Sequence, residues 1–362
     1  MSSLTDVKWF GTLLAGAMLL LLAVGTAGAD HYYFSVDLYE DLGLPGTGVD
    51  ADGVTDLSHT YDSVHNGTNS RLYTDSTYGL SSEDDMDAVS DGRDLFGGVF
   101  FFSVEDGPGI EGVAGSAVEN QSKTDGVPPL PIGSGAVQGD IFESRPGSNV
   151  LRYDEQQLGL YDGATKIPAV DDLDALEVGS WDSPGIYFSV DWGPQFNAAH
   201  LYTSVFDNTN SVWAYDVTMG LNNTSADWWS GETDNVDALV CWDEDAIEPW
   251  GASDVVPLAD PTTDWAMFSL YPGSGSLSLP GNQFLWWGTG AAVGRSPTPG
   301  DVLITDFTNQ FWLHTPYAAL GLDADDNLDA LDTTPEASLW TLLLCTFGVI
   351  GASRRRRTSG AV

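Results

Sequence analysis

The stretch Asp171-Asp172-Leu173-Asp174-Ala175-Leu176 recurs, with small changes, at three other places in this sequence of 362 residues. A second phrase, Tyr187-Phe188-Ser189-Val190, follows it and also recurs. The other copies of the acidic hexapeptide begin at Asp84, Asp234 and Asp326. The other copies of the aromatic phrase are Tyr33–Val36, Phe101–Val104 and Met267–Leu270. Ordered recurrence of two phrases indicates an internal repeat, which takes precedence over chain length in deciding the architecture.

Four units begin with the aromatic phrase and end with the acidic hexapeptide, at residues 31–89, 99–176, 186–239 and 265–331. A Gly-Leu dipeptide precedes each hexapeptide, and an aromatic segment such as Leu151-Arg152-Tyr153 precedes each dipeptide. A further apolar run, for instance Ile141-Phe142 after Gly139-Asp140, lies between these markers. Each unit therefore supplies about four short segments.

These segments predict β-strands, because they are short, rich in β-branched and aromatic residues, and bounded by Gly, Asn and Asp. Four strands in each of four units predict an all-β, four-bladed β-propeller, whose radial repetition protects the sheet edges. The array begins with the second phrase of a cycle and ends with the first, so the strand Asp329-Ala330-Leu331 is expected to complete the first blade. A β-sandwich, or two of them made from duplicated halves, is the alternative.

Two long inserts, Leu44–Ser63 and Pro108–Gly139, are rich in Gly with Asp or Pro and predict surface loops. In the body of the chain, residues 30–333, the turn around Gln156–Leu160 is the one place where a helical period is expected.

The order of the phrases resembles the hemopexin-like four-bladed propeller. The matching residues are Asp174-Ala175, Tyr187-Phe188 and Leu151-Arg152-Tyr153-Asp154. The units here are longer than those of that family. Cys345 lies in the apolar run near the C-terminus, so removal of the tail would leave Cys241 alone and no disulfide could close the ring. The resemblance implies a propeller with ions on its axis, held partly by backbone carbonyls near the Asp-Ala dipeptide.

Residues 1–29 are expected to be a secretion signal. Lys8 precedes the apolar run Phe10–Val24, and Ala27-Gly28-Ala29 provides the small residues of a cleavage site. A retained membrane anchor is the alternative, although the run is short for a membrane span.

Residues 334–362 resemble the PEP-CTERM sorting tail, in which a short motif, a short hydrophobic helix and a basic cluster follow one another. The apolar run Leu339–Ala352 precedes four arginines that would remain cytoplasmic. The resemblance implies an exosortase-type protease as partner, transient membrane anchoring, and delivery to the cell envelope, cell surface or extracellular matrix. This chain has Pro-Glu-Ala where the family usually has Pro-Glu-Pro, and an ordinary tail anchor is the alternative. The motif residues are Pro335, Glu336, Ala337, Arg354, Arg355, Arg356 and Arg357.

Acidic residues outnumber basic ones 53 to 12, which gives a formal net charge of −41. Such a charge disfavours nucleic acid and anionic membrane surfaces as partners. It favours cations, calcium above all, and it is equally typical of a surface adapted to salty water.

Two groups of aspartates are candidate calcium ligands. The first group occupies equivalent positions in the four hexapeptides, and in a ring these carboxylates could face one another and hold a cation. Hydrogen bonds to turn amides are the alternative role. The second group alternates along one Gly-containing loop, which also suits either an ion or a solvated turn. The first group is Asp87, Asp174, Asp237 and Asp329, and the second is Asp50, Asp52 and Asp56.

The tryptophan pairs Trp228-Trp229 and Trp286-Trp287 are candidate platforms for stacking sugar rings. Neighbours in a strand point to opposite faces, so one member of each pair is expected to enter the core and the other to be exposed. Packing in the core or at an interface is the alternative.

The sequence thus predicts an exported surface or matrix protein with a structural or binding role toward glycan, exopolysaccharide or protein. A secreted carbohydrate-active enzyme, a glycoside hydrolase or lyase, is the alternative. The five histidines show no metal-ligand spacing, and no Gly-x-Ser-x-Gly sequence is present. No catalytic residue is assigned.

Overall fold

The computed structural model describes 13 segments of the chain and, within them, 16 β-strands and four short α-helices. The described residues are 31–36, 47, 59–81, 84–90, 100–104, 112–124, 137–145, 148–160, 172–178, 186–190, 196–221, 234–242 and 258–334. The strands are β1 (His31–Val36), β2 (Thr60–Ser63), β3 (Asn69–Tyr73), β4 (Ala88–Ser90), β5 (Phe100–Ser103), β6 (Ile141–Arg145), β7 (Ser148–Tyr153), β8 (Leu173–Val178), β9 (Ile186–Val190), β10 (Leu201–Ser204), β11 (Ser211–Ala214), β12 (Val236–Trp242), β13 (Trp265–Leu270), β14 (Val302–Thr305), β15 (Trp312–Thr315) and β16 (Leu328–Thr334). The helices are α1 (Asp75–Tyr78), α2 (Ala117–Thr124), α3 (Glu155–Leu158) and α4 (Asp216–Met219), and Gly275–Ser278 and Tyr317–Ala319 form 3₁₀ turns.

The strands form four separate four-stranded sheets, which are the blades of a β-propeller. Blade 1 has the strand order β16-β1-β2-β3, blade 2 β4-β5-β6-β7, blade 3 β8-β9-β10-β11 and blade 4 β12-β13-β14-β15. The last strand of the chain therefore pairs with the first, and this pairing closes the ring. The predicted four-bladed propeller is confirmed, and the β-sandwich alternative is wrong.

Within each blade, burial decreases from the inner strands to the outermost one. Every residue of β9 is buried, whereas β7 alternates between exposed and buried positions along part of its length. The hydrophobic core lies between blades as well as within them, because Trp213 of blade 3 packs edge-on against Phe307 of blade 4, with ring centroids 5.0 Å apart. The period of two in the aromatic phrases thus places large side chains on both faces of inner strands.

The serine of each aromatic phrase links its blade to the next one. Each serine is fully buried, and its hydroxyl donates to the backbone carbonyl that directly precedes the central aspartate of the next hexapeptide. A net contribution of about 1 kcal/mol is usual for each such bond. The four bonds are Ser35 to Met86 (3.4 Å), Ser103 to Leu173 (3.0 Å), Ser189 to Val236 (2.6 Å) and Ser269 to Leu328 (2.6 Å), and together they form a closed circle.

The Gly-Leu dipeptides mark a second, outer set of contacts between blades. Gly220 ends α4 with φ of 82°, in the left-handed region that suits glycine. The hairpin between β14 and β15 packs directly on this glycine, and a Cβ atom there would lie 2.6 Å from Gln310 Cα. The amide of Asn309 in the same hairpin donates to the carbonyl of Thr218, at 2.8 Å. The repeated glycine is therefore required by its backbone conformation and by the close approach of the next blade.

Two of the predicted loops contain regular structure. Strand β2 lies at the end of the stretch Leu44–Ser63, where most residues are polar and no alternation of apolar and polar residues is visible. Thr60 of this strand is buried and forms a hydrogen bond with the Tyr78 hydroxyl. Helix α2 lies inside Pro108–Gly139, where buried Val118 anchors it to the core of blade 2. The helical turn expected at Gln156–Leu160 is present as α3.

In the described part of the chain, no helix is both long enough and apolar enough to span a membrane. The predicted secretion signal, residues 1–29, and the sorting motif from Pro335 onward lie outside the described residues, so both stay predictions.

Candidate functional site

The central aspartates of the four hexapeptides lie on or beside the inner strands. Their side chains are buried, with exposed fractions of 1% to 6%. Asp174 and Asp237 occupy β-bulges, because the residues on either side of each pair with consecutive residues of the neighbouring strand. The bulge re-aims these side chains relative to the sheet. Asp87 precedes β4, and Asp329 lies in β16.

The first acidic residues of the hexapeptides hold turns. Asp84 accepts a hydrogen bond from the Ser81 amide at 2.6 Å, and Asp234 accepts one from the Ser276 amide at the same distance. Asp326 does the same for the amide of Asp323. Carboxylates in these positions satisfy backbone donors that the turns would otherwise leave unpaired.

A polar contact recurs in every blade between the residue before the third strand and the first residue of the short helical turn after the fourth strand. In blades 1 and 3 the pair is a histidine and an aspartate, His59 with Asp75 and His200 with Asp216, each with nitrogen and oxygen 3.4 Å apart. In blade 4 Asp301 takes the first position and is fully buried.

Blade 4 neutralises its buried aspartate with an arginine. The guanidinium of Arg295 donates two hydrogen bonds to Asp301, both 2.6 Å long, and stacks over the Tyr317 ring with 4.9 Å from Cζ to its centroid. The amide of Tyr317, the first residue of the 3₁₀ turn, also donates to Asp301, at 3.0 Å. Such a fork of charge-assisted bonds satisfies both carboxylate oxygens.

In blade 2 both members of the pair are acidic. Asp140 Oδ1 accepts the amide hydrogen of Glu155, the first residue of α3, at 3.0 Å. Asp154 caps the same helix by accepting the Gln156 amide at 2.9 Å. One carboxylate oxygen from each of Asp140, Asp154 and Glu155 lies within 4.8 Å of the other two, so these residues could hold a metal ion. We call these three residues the blade 2 acidic cluster.

Burial raises the pKa of Asp140 well above its ordinary value, and hydrogen bonding to the Glu155 side chain and repulsion from its charge add to the increase, whereas the bond from the Glu155 amide opposes it. Two carboxylates this close cannot both remain ionised in a buried place without a compensating positive charge. The cluster therefore requires either a shared proton or a cation.

Sequence reasoning placed calcium elsewhere. Among the described residues the blade 2 acidic cluster is the group that brings three potential ligand atoms together, and none of Asp87, Asp174, Asp237 and Asp329 belongs to it. The loop with Asp50, Asp52 and Asp56 lies outside the described residues. The repeated phrases contain the residues of this cluster. Gly139-Asp140 directly precedes the apolar run Ile141-Phe142, and Asp154 and Glu155 directly follow Leu151-Arg152-Tyr153.

The tryptophan pair at Trp286-Trp287 divides between core and surface. Trp286 is partly buried and packs against the core shared by blades 3 and 4, whereas Trp287 is 41% exposed. The Trp287 ring lies 5.0 Å from the Trp312 ring of β15, and the Trp287 amide donates to the Leu313 carbonyl at 3.0 Å. The segment that carries Trp287 is therefore hydrogen-bonded along the outer edge of blade 4.

A second aromatic contact lies at one end of the same blade. Trp242 ends β12 and Trp265 begins β13, and their rings stack with centroids 3.3 Å apart. These two residues are 23 positions apart and become neighbours only through the pairing of β12 with β13, so their contact is not evident from the sequence. Trp228 and Trp229 lie outside the described residues.

Comparison with known proteins adds no family to these observations. Models of protein families find no match to this chain, and a search of the curated proteins finds none.

Proposed function

We propose that this protein is an exported cell-surface or extracellular-matrix component whose propeller binds polysaccharide. The observation that carries the proposal is the exposed Trp287 ring beside Trp312 at the outer edge of blade 4. Backbone bonding to β15 holds the main chain at Trp287, and contact with the Trp312 ring limits the motion of the side chain, so binding a sugar face would cost less conformational entropy. Aromatic rings combine a large apolar face with polar surroundings, which suits ligands of mixed character.

The charge of the protein narrows the class of ligand. With a formal net charge of −41, the protein repels acidic polymers unless cations screen the repulsion. A neutral polysaccharide meets no such barrier. We therefore propose a neutral glucan-type polymer as the ligand class, with recognition through ring stacking rather than through charge.

A binding role accounts for the acids better than catalysis does. Asp84, Asp234 and Asp326 hold turn amides, and Asp301 is bonded to Arg295. A glycoside hydrolase needs two carboxylates facing one cleft at a set separation. Apart from the blade 2 acidic cluster, these described acids instead have structural roles in three different blades.

Binding to insoluble cellulose tests the proposal. The purified full-length protein is expected to sediment with cellulose, and Trp287→Ala is expected to weaken the association at least about tenfold, equivalent to about 1.4 kcal/mol. Tyr271→Ala is the matched control, since Tyr271 is also an exposed aromatic residue of blade 4, at 37%. Equal binding by all three proteins, or release of reducing sugars by the wild type, would contradict the proposal.

Export and sorting rest on the two ends of the sequence. The proposed route is removal of residues 1–29 on secretion and of the segment from about Pro335 onward by an exosortase-type protease. The mass of protein recovered from the cell envelope or matrix measures both events. An intact mass that includes Arg354–Arg357 would show a retained tail anchor instead.

Calcium is the cation we propose for this acidic body. Carboxylates are hard oxygen ligands, and calcium accepts six to eight oxygens in irregular geometry, whereas magnesium demands a nearly ideal octahedron. The large excess of acids over bases supports a divalent cation, and preferential binding to the folded state would raise the thermal midpoint.

A further inference from the structure

In blades 1, 3 and 4 a base contacts the buried acid, whereas in blade 2 the corresponding residues, Asp140 and Glu155, are both acidic. His59 and His200 directly precede the third strand, the position that Asp140 takes in blade 2. In blade 4 this position holds Asp301, and Arg295 contacts it from the preceding segment. Blade 4 therefore shows that a buried aspartate at this position of the fold is neutralised by a cation.

Among the described contacts of blade 2, Arg152 lies against Glu143 rather than against the acidic cluster. Arg152 on β7 has its Nε 3.8 Å from Glu143, and its guanidinium lies over the Tyr153 ring at 5.3 Å. Its side chain is 50% exposed, so any charge it contributes is largely screened by solvent.

One oxygen of Asp140 points to a missing ligand. Asp140 is fully buried, and its Oδ1 atom accepts the Glu155 amide. Its Oδ2 atom is also buried and receives no hydrogen bond from the described part of the chain. A buried carboxylate oxygen beside two further carboxylates is a costly arrangement unless a cation or proton is present.

We propose that Asp140, Asp154 and Glu155 bind one calcium ion, which neutralises the buried carboxylates of blade 2 as Arg295 neutralises Asp301 in blade 4. Water and backbone carbonyls would complete the six to eight oxygens that calcium takes. Asp154 is half-buried, so the site has access to solvent. The proposal adopts the calcium preference proposed above and adds a location in the fold.

The ion would join two parts of the blade that are distant in the chain. Asp140 directly precedes β6, and Asp154 and Glu155 begin α3 directly after β7. The C-terminal end of α3 receives the next blade, because the amide of Asn208 donates to Gln157 at 3.1 Å. Calcium at this place thus stabilises both the β6–β7 hairpin and the junction between blades 2 and 3.

Calcium titration of the chelator-treated full-length protein tests the site. Titration calorimetry is expected to show one calcium fewer per molecule for Glu155→Gln than for the wild type, together with a smaller rise of the thermal midpoint. Asp216→Asn is the matched control, because Asp216 is the equivalent first helical residue of blade 3 and has His200 as its partner. It is expected to keep the full calcium stoichiometry.

A second variant keeps the test decisive if Glu155→Gln folds poorly. Asp140→His gives blade 2 the histidine–acid pair of blades 1 and 3, so it is expected to fold without calcium and to bind one ion fewer. If both variants keep the wild-type stoichiometry, the location is wrong while the calcium preference stands. If the wild type binds no calcium, both proposals are wrong, and cellulose binding remains a separate question.

Discussion

Blades 2 and 4 place an aspartate at the same point of the fold, directly before the third strand, but differ in what surrounds it. Asp301 is held by two bonds from Arg295, whereas Asp140 faces Glu155. In both blades the aspartate also accepts the first amide of the following helical turn, at 3.0 Å. The shared bond shows that the acid has a structural role in closing the blade. The difference between Arg295 in blade 4 and Glu155 in blade 2 shows that the repeated phrases do not determine how the charge of this aspartate is neutralised.

The largest effect in this comparison is expected on removing the arginine from blade 4. Arg295→Met keeps the length of the side chain but leaves the fully buried Asp301 without its cation, the situation of blade 2 without an ion. Breaking a buried ion pair on one side commonly costs about 3–5 kcal/mol. Because the Arg295 side chain is 31% exposed, we expect a value near the lower end, about 3 kcal/mol. Denaturant unfolding of the two proteins measures it.

The double variant Arg295→Met, Asp301→Asn separates charge from packing. If the cost arises from the uncompensated carboxylate, the added amide should recover part of the lost stability. A double variant less stable than Arg295→Met would show that the Tyr317 stacking and the turn bonds dominate instead.

Much of the fold could be predicted from the sequence because the repeated phrases encode it locally. The aromatic phrase becomes the second strand of each blade, and the hexapeptide becomes the first, so the incomplete first cycle predicted closure by β16. Strand β2 was missed because its residues, Thr60 to Ser63, are mostly polar and are buried by hydrogen bonding rather than by an apolar pattern.

The candidate sites were harder to predict because they depend on contacts distant in sequence. Asp140 and Glu155 are 15 positions apart and meet only through the β6–β7 hairpin. Repetition drew attention to Asp174 and its equivalents, yet the cluster is distinguished by a difference between blades, since Asp140 faces the acidic Glu155 whereas Asp301 faces Arg295. At Trp286 and Trp287 the expected division between core and surface is present, although Trp286 forms an isolated bridge and Trp287 lies in the turn that follows it rather than in a strand.

A smaller effect is expected in blade 3, because its base, His200, can lose its positive charge. Burial lowers the pKa of His200, although Asp216 opposes the change. The unfolded chain then binds a proton more readily than the folded one, so stability should fall as the pH falls through about 6.5, the ordinary value. His200→Gln should lessen that fall. The slope of the unfolding free energy against pH can differ between the variant and the wild type by at most one proton, about 1.4 kcal/mol per pH unit.

Unfolding of both proteins in denaturant from pH 8 to pH 5 measures the difference. The groups around the imidazole are Asp216, Asn197 and the rings of Tyr202 and Tyr215. At pH 8 the imidazole is neutral in both states, so that pH serves as the reference for packing lost in the variant. Parallel stability curves for the two proteins would mean that folding does not change the pKa of His200, which would contradict the prediction. A wild type that gains stability relative to His200→Gln as the pH falls would mean that His200 and Asp216 form an ion pair, as Arg295 and Asp301 do in blade 4.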